Sequence, residues 1–247
     1  MKVSLLDKII SKTGQIAILI DPEKTNSADK LNELISRIHE HQVDYIFIGG
    51  SSCTNIEFEK TASIIKPLTN IPIIIFPGSS SQITKNADGI LLLSLLSGRN
   101  SKYLIEEHID SSLKLRKSEL EIIPTSYILI NGETESSVKK ISNTIPLSRN
   151  DSKTILKTTL AGLNQGKKIT FFDCGSGAKK SVPYSVIKLI KQNSNCPLII
   201  GGGINSTKKI NIFKKLGVNI IVVGNFIEQN SSKITEILPL KSKGKKH

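Results

Sequence analysis

Short apolar runs alternate with longer amphipathic segments along the chain. The spacing of Leu31, Leu34 and Ile38, for example, gives a helix one apolar face. Runs rich in Ile, Leu and Val predict strands at 15–20, 44–48, 72–76, 89–93, 126–130, 169–173, 197–200 and 220–223. The segments between them predict helices at 28–41, 56–65, 101–117, 152–166, 183–191, 207–216 and 226–237, with a short helical connection at 80–85. This alternation indicates parallel pairing, because parallel strands need a crossover connection.

Eight strands joined by helical crossovers favour a closed (β/α)8 TIM-type barrel over an open doubly wound sheet. The length of 247 residues is usual for one such domain. We therefore predict a single barrel domain over residues 1–240, followed by a basic tail at 241–247. The polar segment 131–150 is predicted to be the least regular part.

Glycine clusters end the last three predicted strands. They are Gly175, Ser176 and Gly177, then Gly201, Gly202 and Gly203, then Gly224 and Asn225. Glycine lets the backbone approach a ligand closely, and amides at a helix start hold anions. The carboxyl ends of barrel strands share one face, where the last loops often bind phosphate. The three clusters therefore predict one phosphate site.

Two aspartates end predicted strands on the same face. Asp21 could bind Mg²⁺, which prefers oxygen ligands, or cap a helix that starts at Pro22. The phosphate turns favour the metal. Asp173 could act as a general base or accept hydrogen bonds from substrate hydroxyls, and a turn-forming aspartate is an equal alternative. Both interpretations of Asp173 stay open at this point.

Weaker signals come from two other turns. Ser51 follows strand two and could contact phosphate or metal, although a tight turn with a serine cap is the better explanation when this segment is taken alone. Arg99 follows strand four as a candidate phosphate ligand or an ordinary surface arginine. The sequence contains no HExxH, GxSxG or Walker A pattern, so a zinc hydrolase, a serine hydrolase and a P-loop NTPase are not supported.

The formal net charge of +13 is compatible with nucleic acid, anionic small molecules or a lipid surface as partners. The lysines are dispersed and the chain has four Tyr and no Trp for base stacking, so we expect no nucleic-acid role. The three cysteines have no CxxC spacing and fit a reducing cytoplasm. No apolar run is long enough to span a bilayer, and Asp7 and Lys8 interrupt the start of the chain, so no secretory signal is expected.

Seven segments, in this order, resemble the geranylgeranylglyceryl phosphate synthase family, which includes bacterial heptaprenylglyceryl phosphate synthases. They are LIDPEK at 19–24, FIGGSS at 47–52, FPGS at 76–79, SLLSGRN at 94–100, CGSGA at 174–178, GGGI at 201–204 and VGN at 223–225. The resemblance extends from about residue 14 to residue 230. Each turn alone is a weak signal, whereas the ordered set is specific.

The resemblance implies a modified barrel and Mg²⁺-dependent transfer of a prenyl group, geranylgeranyl in the first instance, from its diphosphate to the 3-hydroxyl of sn-glycerol 1-phosphate. It implies a homo-oligomer, a dimer or hexamer, and the net charge adds transient contact with a membrane surface as an expectation. Asp21 and Ser51 would be metal positions, Asp21 and Asp173 catalytic, and Arg99 close to the diphosphate. The glycerol phosphate residues would be Phe171, Phe172, Asp173, Cys174, Gly175, Ser176, Gly177, Gly202, Gly203, Gly224 and Asn225.

The chain departs from the family pattern at four positions. Phe171 and Asp173 stand where the family usually has Tyr-x-Glu, and Ser126 and Asn131 stand where Gly and Asp are commoner. Two alternatives therefore remain. One is another phosphate-binding barrel isomerase or lyase, for which Asp21, Glu23 and Asp173 are the acid/base candidates. The other is a non-catalytic protein that binds anions or a membrane.

Overall fold

The computed structural model describes residues 3–25, 27–224, 227 and 231–241. Eight parallel strands form a closed barrel in sequence order, and β1 pairs with β8 to complete it. The predicted barrel is confirmed. The strands are β1 Gln15–Ile20, β2 Tyr45–Ile48, β3 Ile73–Ile75, β4 Gly89–Leu95, β5 Glu121–Leu129, β6 Ile169–Asp173, β7 Leu198–Gly201 and β8 Ile220–Val223.

Helices follow most strands on the outside of the barrel. Those in the described residues are α1 Leu5–Ser11, α2 Ala28–Glu40, α3 Asn55–Ile65, α4 Glu106–Lys117, α5 Ser137–Ser142, α6 Ser152–Asn164, α7 Tyr184–Asn193, α8 Thr207–Lys215 and α9 Ile234–Ile237, with 3₁₀ turns at Lys66–Leu68, Ser101–Tyr103 and Ser231–Lys233. No helix in the described part of the chain has the length and apolar character that crossing a bilayer requires.

Alternation along the strands divides the core into two layers, because successive side chains of a strand point to opposite faces. Ala17, Phe47 and Ile74 belong to an inner cluster inside the barrel. Ile16 and Ile46 belong to an outer cluster that also contains the apolar faces of the surrounding helices. Near-continuous Ile, Leu and Val therefore fit strands that are covered on both sides.

Helix α1, which the sequence analysis did not predict, closes the amino-terminal end of the barrel. Its Leu5 and Ile9 pack into the inner cluster. The carboxylate of Glu121 accepts hydrogen bonds from the first amides of the helix, at 2.6 and 2.7 Å. The side-chain amides of Gln15 and Asn219 donate to the Ile9 carbonyl at 3.1 and 3.0 Å. A ligand of the barrel interior would therefore enter at the opposite, carboxyl end.

The predicted helix at 80–85 is wrong. Turns and irregular backbone connect β3 to β4 instead. The Gln82 side chain accepts from the Gly78 amide at 2.8 Å and donates to the Gly50 carbonyl at 3.1 Å. The Glu107 carboxylate of α4 accepts from the Ser80 amide. These bonds provide partners for backbone groups of the segment without a helix. A space remains between this connection and α4.

Other element boundaries differ from prediction in smaller ways. The predicted helix at 101–117 is a 3₁₀ turn followed by α4, and β5 begins at Glu121, continues through Pro124 and ends at Leu129. The irregular segment 131–150 contains the short helix α5. Part of the helix predicted at 226–237 and residues 242–247 of the basic tail lie outside the described residues.

Candidate active site

The three glycine turns converge at the carboxyl ends of the strands, where they line one cavity of about 230 Å³. We call it the glycine-lined cavity. The candidate residues that contribute to it are Asp21, Ser51, Phe171, Asp173, Gly175, Ser176, Gly177, Gly202, Gly203 and Gly224, with Lys24 from the segment after β1. The predicted convergence of these turns is therefore present in the structure.

Backbone packs directly against backbone where the second turn meets the first. Gly202 has φ +81°, and a Cβ atom there would lie 2.8 Å from the amide nitrogens of Cys174 and Gly175. Gly203 has φ +69°, and its Cβ would lie 2.9 Å from the Ser181 nitrogen. Both the left-handed backbone and the close approach require glycine. The glycines thus allow two loops to bring their amides to one place.

Asp173, the last residue of β6, is buried at the wall of this cavity. Its Oδ2 accepts a hydrogen bond of 2.5 Å from the Tyr127 hydroxyl, and its Oδ1 accepts one of 2.8 Å from the Gly175 amide. Burial raises the pKa of Asp173 above its ordinary value, against the opposing effect of hydrogen bonds from Tyr127, Gly175 and Cys174. The carboxylate is thus fixed in position and more basic than usual, as a proton acceptor should be.

Asp21 follows β1 on the opposite side of the cavity. Its Oδ2 lies 3.0 Å from the Lys24 ammonium, and its Oδ1 accepts from the Glu23 amide at 3.2 Å. The side chain of Ser27 caps α2, so Asp21 is not the cap of that helix. A Cβ at Gly50 would lie 2.6 Å from Asp21 Oδ1, so glycine is needed for the carboxylate to lie against β2's end.

The donor atoms around Asp21 suit one kind of metal site. No group of three or more His, Cys, Asp or Glu side chains that could hold a metal occurs among the described residues. Mg²⁺, however, is commonly bound by one or two carboxylates together with substrate phosphate oxygens and water. The Asp21 carboxylate and Ser51, which line the same cavity, fit that kind of site.

An apolar cavity of about 100 Å³ adjoins the glycine-lined cavity. It lies between α4 and the irregular connection from β3 to β4. Its apolar walls include Phe76, Ile83, Ile90, Leu92, Leu93, Leu95, Tyr103, Tyr127 and Ile141, and its polar walls include Glu107, His108 and Ser111. Gly50, Ser51 and Phe76 line both cavities. The sequence analysis did not single out Tyr127 or the α4 residues for the site, because their direction depends on strand register and helix rotation.

Other candidate residues lie elsewhere. The side chains of Phe172 and Cys174 pack in the outer cluster, facing the helices. Arg99 donates to the carbonyl of Gly98 at 2.7 Å and lines a separate cavity beside α6. Ser126 is buried against Gly162 of α6. Asn225 lies outside the described residues.

Sequence comparison places this architecture in a family. Residues 8–241 match the model of the PcrB family. The chain belongs to the PcrB family. Geranylgeranylglyceryl phosphate synthase of Zunongwangia profunda is 42% identical over 233 residues, covering 93% of this chain and 99% of that protein. The protein of the same name from Chitinophaga pinensis is 40% identical, covering 95% and 92% respectively.

A solved structure is similar to this PcrB-family chain over almost its whole length. It is (S)-3-O-geranylgeranylglyceryl phosphate synthase from Thermoplasma acidophilum in complex with its substrate sn-glycerol-1-phosphate. The TM-score is 0.88 at 26% sequence identity, with 95% of this chain and 96% of that chain covered. The family resemblance found in the sequence motifs is thereby confirmed.

Proposed function

We infer that this protein is a prenyltransferase that joins a prenyl diphosphate to the 3-hydroxyl of sn-glycerol 1-phosphate. The observation that carries this inference is that a glycine-lined cavity and an apolar cavity meet at Gly50, Ser51 and Phe76. One cavity suits a small phosphorylated alcohol and the other an isoprenoid chain. The PcrB match and the names of the relatives support the same reaction. We propose geranylgeranyl diphosphate as the donor.

The acceptor would be held by its phosphate. Amides of the glycine turns supply hydrogen-bond donors, so the phosphate can be fixed without a protein cation. Asp173 lines the same cavity and would accept the proton of the 3-hydroxyl as its oxygen attacks the allylic carbon. A carbon–oxygen ether bond forms, the bond between that carbon and the diphosphate oxygen breaks, and diphosphate leaves.

The donor would span both cavities. Its tail would lie in the apolar cavity, and its diphosphate would lie near Asp21, Lys24 and Ser51. We propose that Asp21 and Ser51 hold Mg²⁺, which when bound neutralises negative charge on the departing diphosphate. The Lys24 ammonium, 3.0 Å from Asp21, adds positive charge on the same side. Holding both reactants in one geometry supplies much of the rate enhancement in such a reaction.

The inference is tested by incubating the purified chain with radiolabelled sn-glycerol 1-phosphate, Mg²⁺ and prenyl diphosphates from geranyl to heptaprenyl. We expect a lipid-soluble ether product with at least the geranylgeranyl donor. Failure with every donor would contradict the proposal. Metal-independent turnover of a sugar phosphate without any prenyl donor would instead favour the isomerase or lyase.

Filling the apolar cavity should change the preferred donor. Ser111 is buried in α4 and lines this cavity, so Ser111→Phe would occupy part of the space for the tail. We expect kcat/KM for the longest accepted donor to fall by about tenfold relative to shorter donors. The neighbouring Ser112 is exposed, so Ser112→Phe is the matched control. Equal loss for all donor lengths would refute this assignment of the cavity.

Adding one methyl group to the second glycine turn should weaken acceptor binding. Gly202→Ala would place Cβ 2.8 Å from two backbone nitrogens and strain a left-handed residue. We expect the Kd for sn-glycerol 1-phosphate, measured by calorimetry, to rise by about tenfold or more. Gly166→Ala is the control, because Gly166 has φ +84° but nothing within 4 Å of its Cβ position. An unchanged Kd for Gly202→Ala would show that the phosphate binds elsewhere.

We also propose that the protein acts in the cytoplasm as a homo-oligomer and contacts the membrane surface transiently. Ile109 and Leu113 of α4, together with Ile105 just before the helix, are exposed and recur every four positions. This exposed apolar stripe supports contact with a second copy. The net charge of +13 supports attraction to anionic lipid. Light scattering tests the oligomer, and a monodisperse monomer would contradict it. Sedimentation with anionic vesicles tests the membrane contact, and absence of the protein from the vesicle pellet would contradict it.

A further inference from the structure

We propose that Tyr127 is a positioning residue, which holds the Asp173 carboxylate at the junction of the two cavities so that it can take the proton of the acceptor hydroxyl. The proposal rests on the function inferred above. Tyr127 lines the apolar cavity, whereas Asp173 lines the glycine-lined cavity. Their hydrogen bond of 2.5 Å therefore lies where the isoprenoid carbon and the alcohol oxygen must meet.

Strand register explains why these two side chains meet. Tyr127 of β5 pairs with Phe171 of β6, and Leu129 pairs with Asp173. Residues 171 and 173 point to the same face of β6, because side chains repeat every second residue. Phe171 itself has no hydroxyl, so the hydroxyl that reaches Asp173 comes from the neighbouring strand.

Aromatic packing fixes the ring that carries this hydroxyl. The Tyr127 ring contacts Phe76 and Phe171 edge to face, with 5.6 Å between ring centroids in each pair. Phe76 and Phe171 stack at 5.0 Å. Tyr127 is only 4% exposed. A ring packed in this way has little rotational freedom, so its hydroxyl stays directed at Oδ2 of Asp173.

The hydrogen bond also sets the basicity of Asp173. Burial raises the pKa of this carboxyl group, and donation from Tyr127 to its ionised form lowers it again. Of the other titratable groups nearby, Cys174 adjoins Asp173, and Asp21 and Lys24 line the same cavity. In the described residues, β7, β8 and the turns after them present only side chains without an ionisable group to the cavity, namely Gly201, Gly202, Gly203, Ile204, Asn205, Val222 and Gly224. Without the Tyr127 hydroxyl, Asp173 would stay protonated to higher pH.

The test is Tyr127→Phe, which removes one oxygen and keeps the ring packing. We expect kcat to fall on the order of tenfold to a hundredfold, with KM for sn-glycerol 1-phosphate nearly unchanged. The acid limb of the kcat/KM profile should move up by about one pH unit. The control is Tyr45→Phe, because Tyr45 is also buried, at 3% exposure, and donates to Gln15 at 2.8 Å near the amino-terminal end of the barrel. This variant should keep the wild-type kcat and acid limb.

The proposal would be overturned if the acid limb of the kcat/KM profile of Tyr127→Phe stayed at the wild-type pH. It would also be overturned if Tyr127→Phe lowered the melting temperature much more than Tyr45→Phe does, because the loss of rate would then reflect a damaged fold. A measurement without turnover separates this proposal from the proposed function. Carboxyl ¹³C NMR of aspartate-labelled protein, with Asp173→Asn used to assign the resonance, gives the pKa of Asp173 directly. Tyr127→Phe should raise it even if no ether is ever formed, and an unchanged pKa would refute the inference.

Discussion

Asp173→Asn is expected to abolish most ether formation without destabilising the fold. An amide cannot take the proton of the acceptor hydroxyl, so the rate should fall on the order of a hundredfold to ten-thousandfold. The amide can still satisfy its neighbours, because its oxygen can accept from Gly175 and its NH₂ can donate to the Tyr127 hydroxyl. Rate and melting temperature, measured on the same preparation, check the two expectations together.

The stability of this variant should depend on pH in a defined direction. Burial raises the pKa of Asp173 in the folded state above its ordinary value of 3.8. The wild type therefore loses stability as pH rises from the unfolded pKa through the folded pKa, because the native state resists ionisation. The stability of Asp173→Asn relative to the wild type should therefore increase as pH rises between these two pKa values, and the difference should persist at neutral pH.

A control for Asp173→Asn makes the same chemical change elsewhere. Asp151 caps α6 by accepting from the Thr154 amide at 2.9 Å, and asparagine is an equally good cap. Asp151→Asn should keep full activity. Retained activity in Asp173→Asn, or a clear fall in its melting temperature at neutral pH, would show that the carboxylate is structural and is not the proton acceptor.

Asp21→Asn is expected to remove most of the rate that we propose depends on Mg²⁺, while acceptor binding is retained. Loss of the carboxylate that would hold Mg²⁺ beside the departing diphosphate should cost on the order of a hundredfold to a thousandfold in kcat. The turns that would bind the acceptor phosphate belong to other strands, so the Kd for sn-glycerol 1-phosphate should stay close to that of the wild type. Initial rates across a Mg²⁺ titration, with calorimetry of the acceptor, measure both quantities.

The neighbouring carboxylate provides the control for Asp21→Asn. Glu23 is exposed and accepts from the Ser52 hydroxyl. Glu23→Gln should retain the Mg²⁺ dependence that we propose for the wild type. If Asp21→Asn also retained it at full rate, Asp21 would not be a metal position, and the inferred donor geometry would have to be abandoned.

The sequence predicted the parts of the site that depend on backbone conformation. A glycine cluster after an apolar run has few structural explanations, so the turns after β6, β7 and β8 could be placed on one face before any coordinates. Asp21 and Asp173 could be predicted to lie at the same site, because each stands at the end of a strand of the same sheet. Parallel order then brought all of them to one cavity.

Features that depend on side-chain direction could not be predicted in the same way. Tyr127 reaches Asp173 only in the observed register of β5 against β6. Arg99 follows a strand as expected, yet its guanidinium donates to the Gly98 carbonyl, and the residue lines a different cavity, beside α6. The pattern of residues 80–85 predicts a helix, whereas hydrogen bonds to the side chains of Gln82 and of Glu107 in α4 stabilise an irregular backbone. The spacing of apolar residues along the chain does not indicate which residues distant in sequence will be in contact.

The seal at the closed end of the barrel has a consequence for synthesis. Helix α1 is synthesised before its partners, because the carboxylate that caps it lies 116 residues further along and the Asn219 amide that holds its last turn lies 210 residues from Ile9. Leu5 and Ile9 thus lack their final packing partners until the chain has been synthesised through β8. A nascent chain interrupted before β8 would expose them to chaperones and proteases, so synthesis of β8 acts as a checkpoint for the folded barrel.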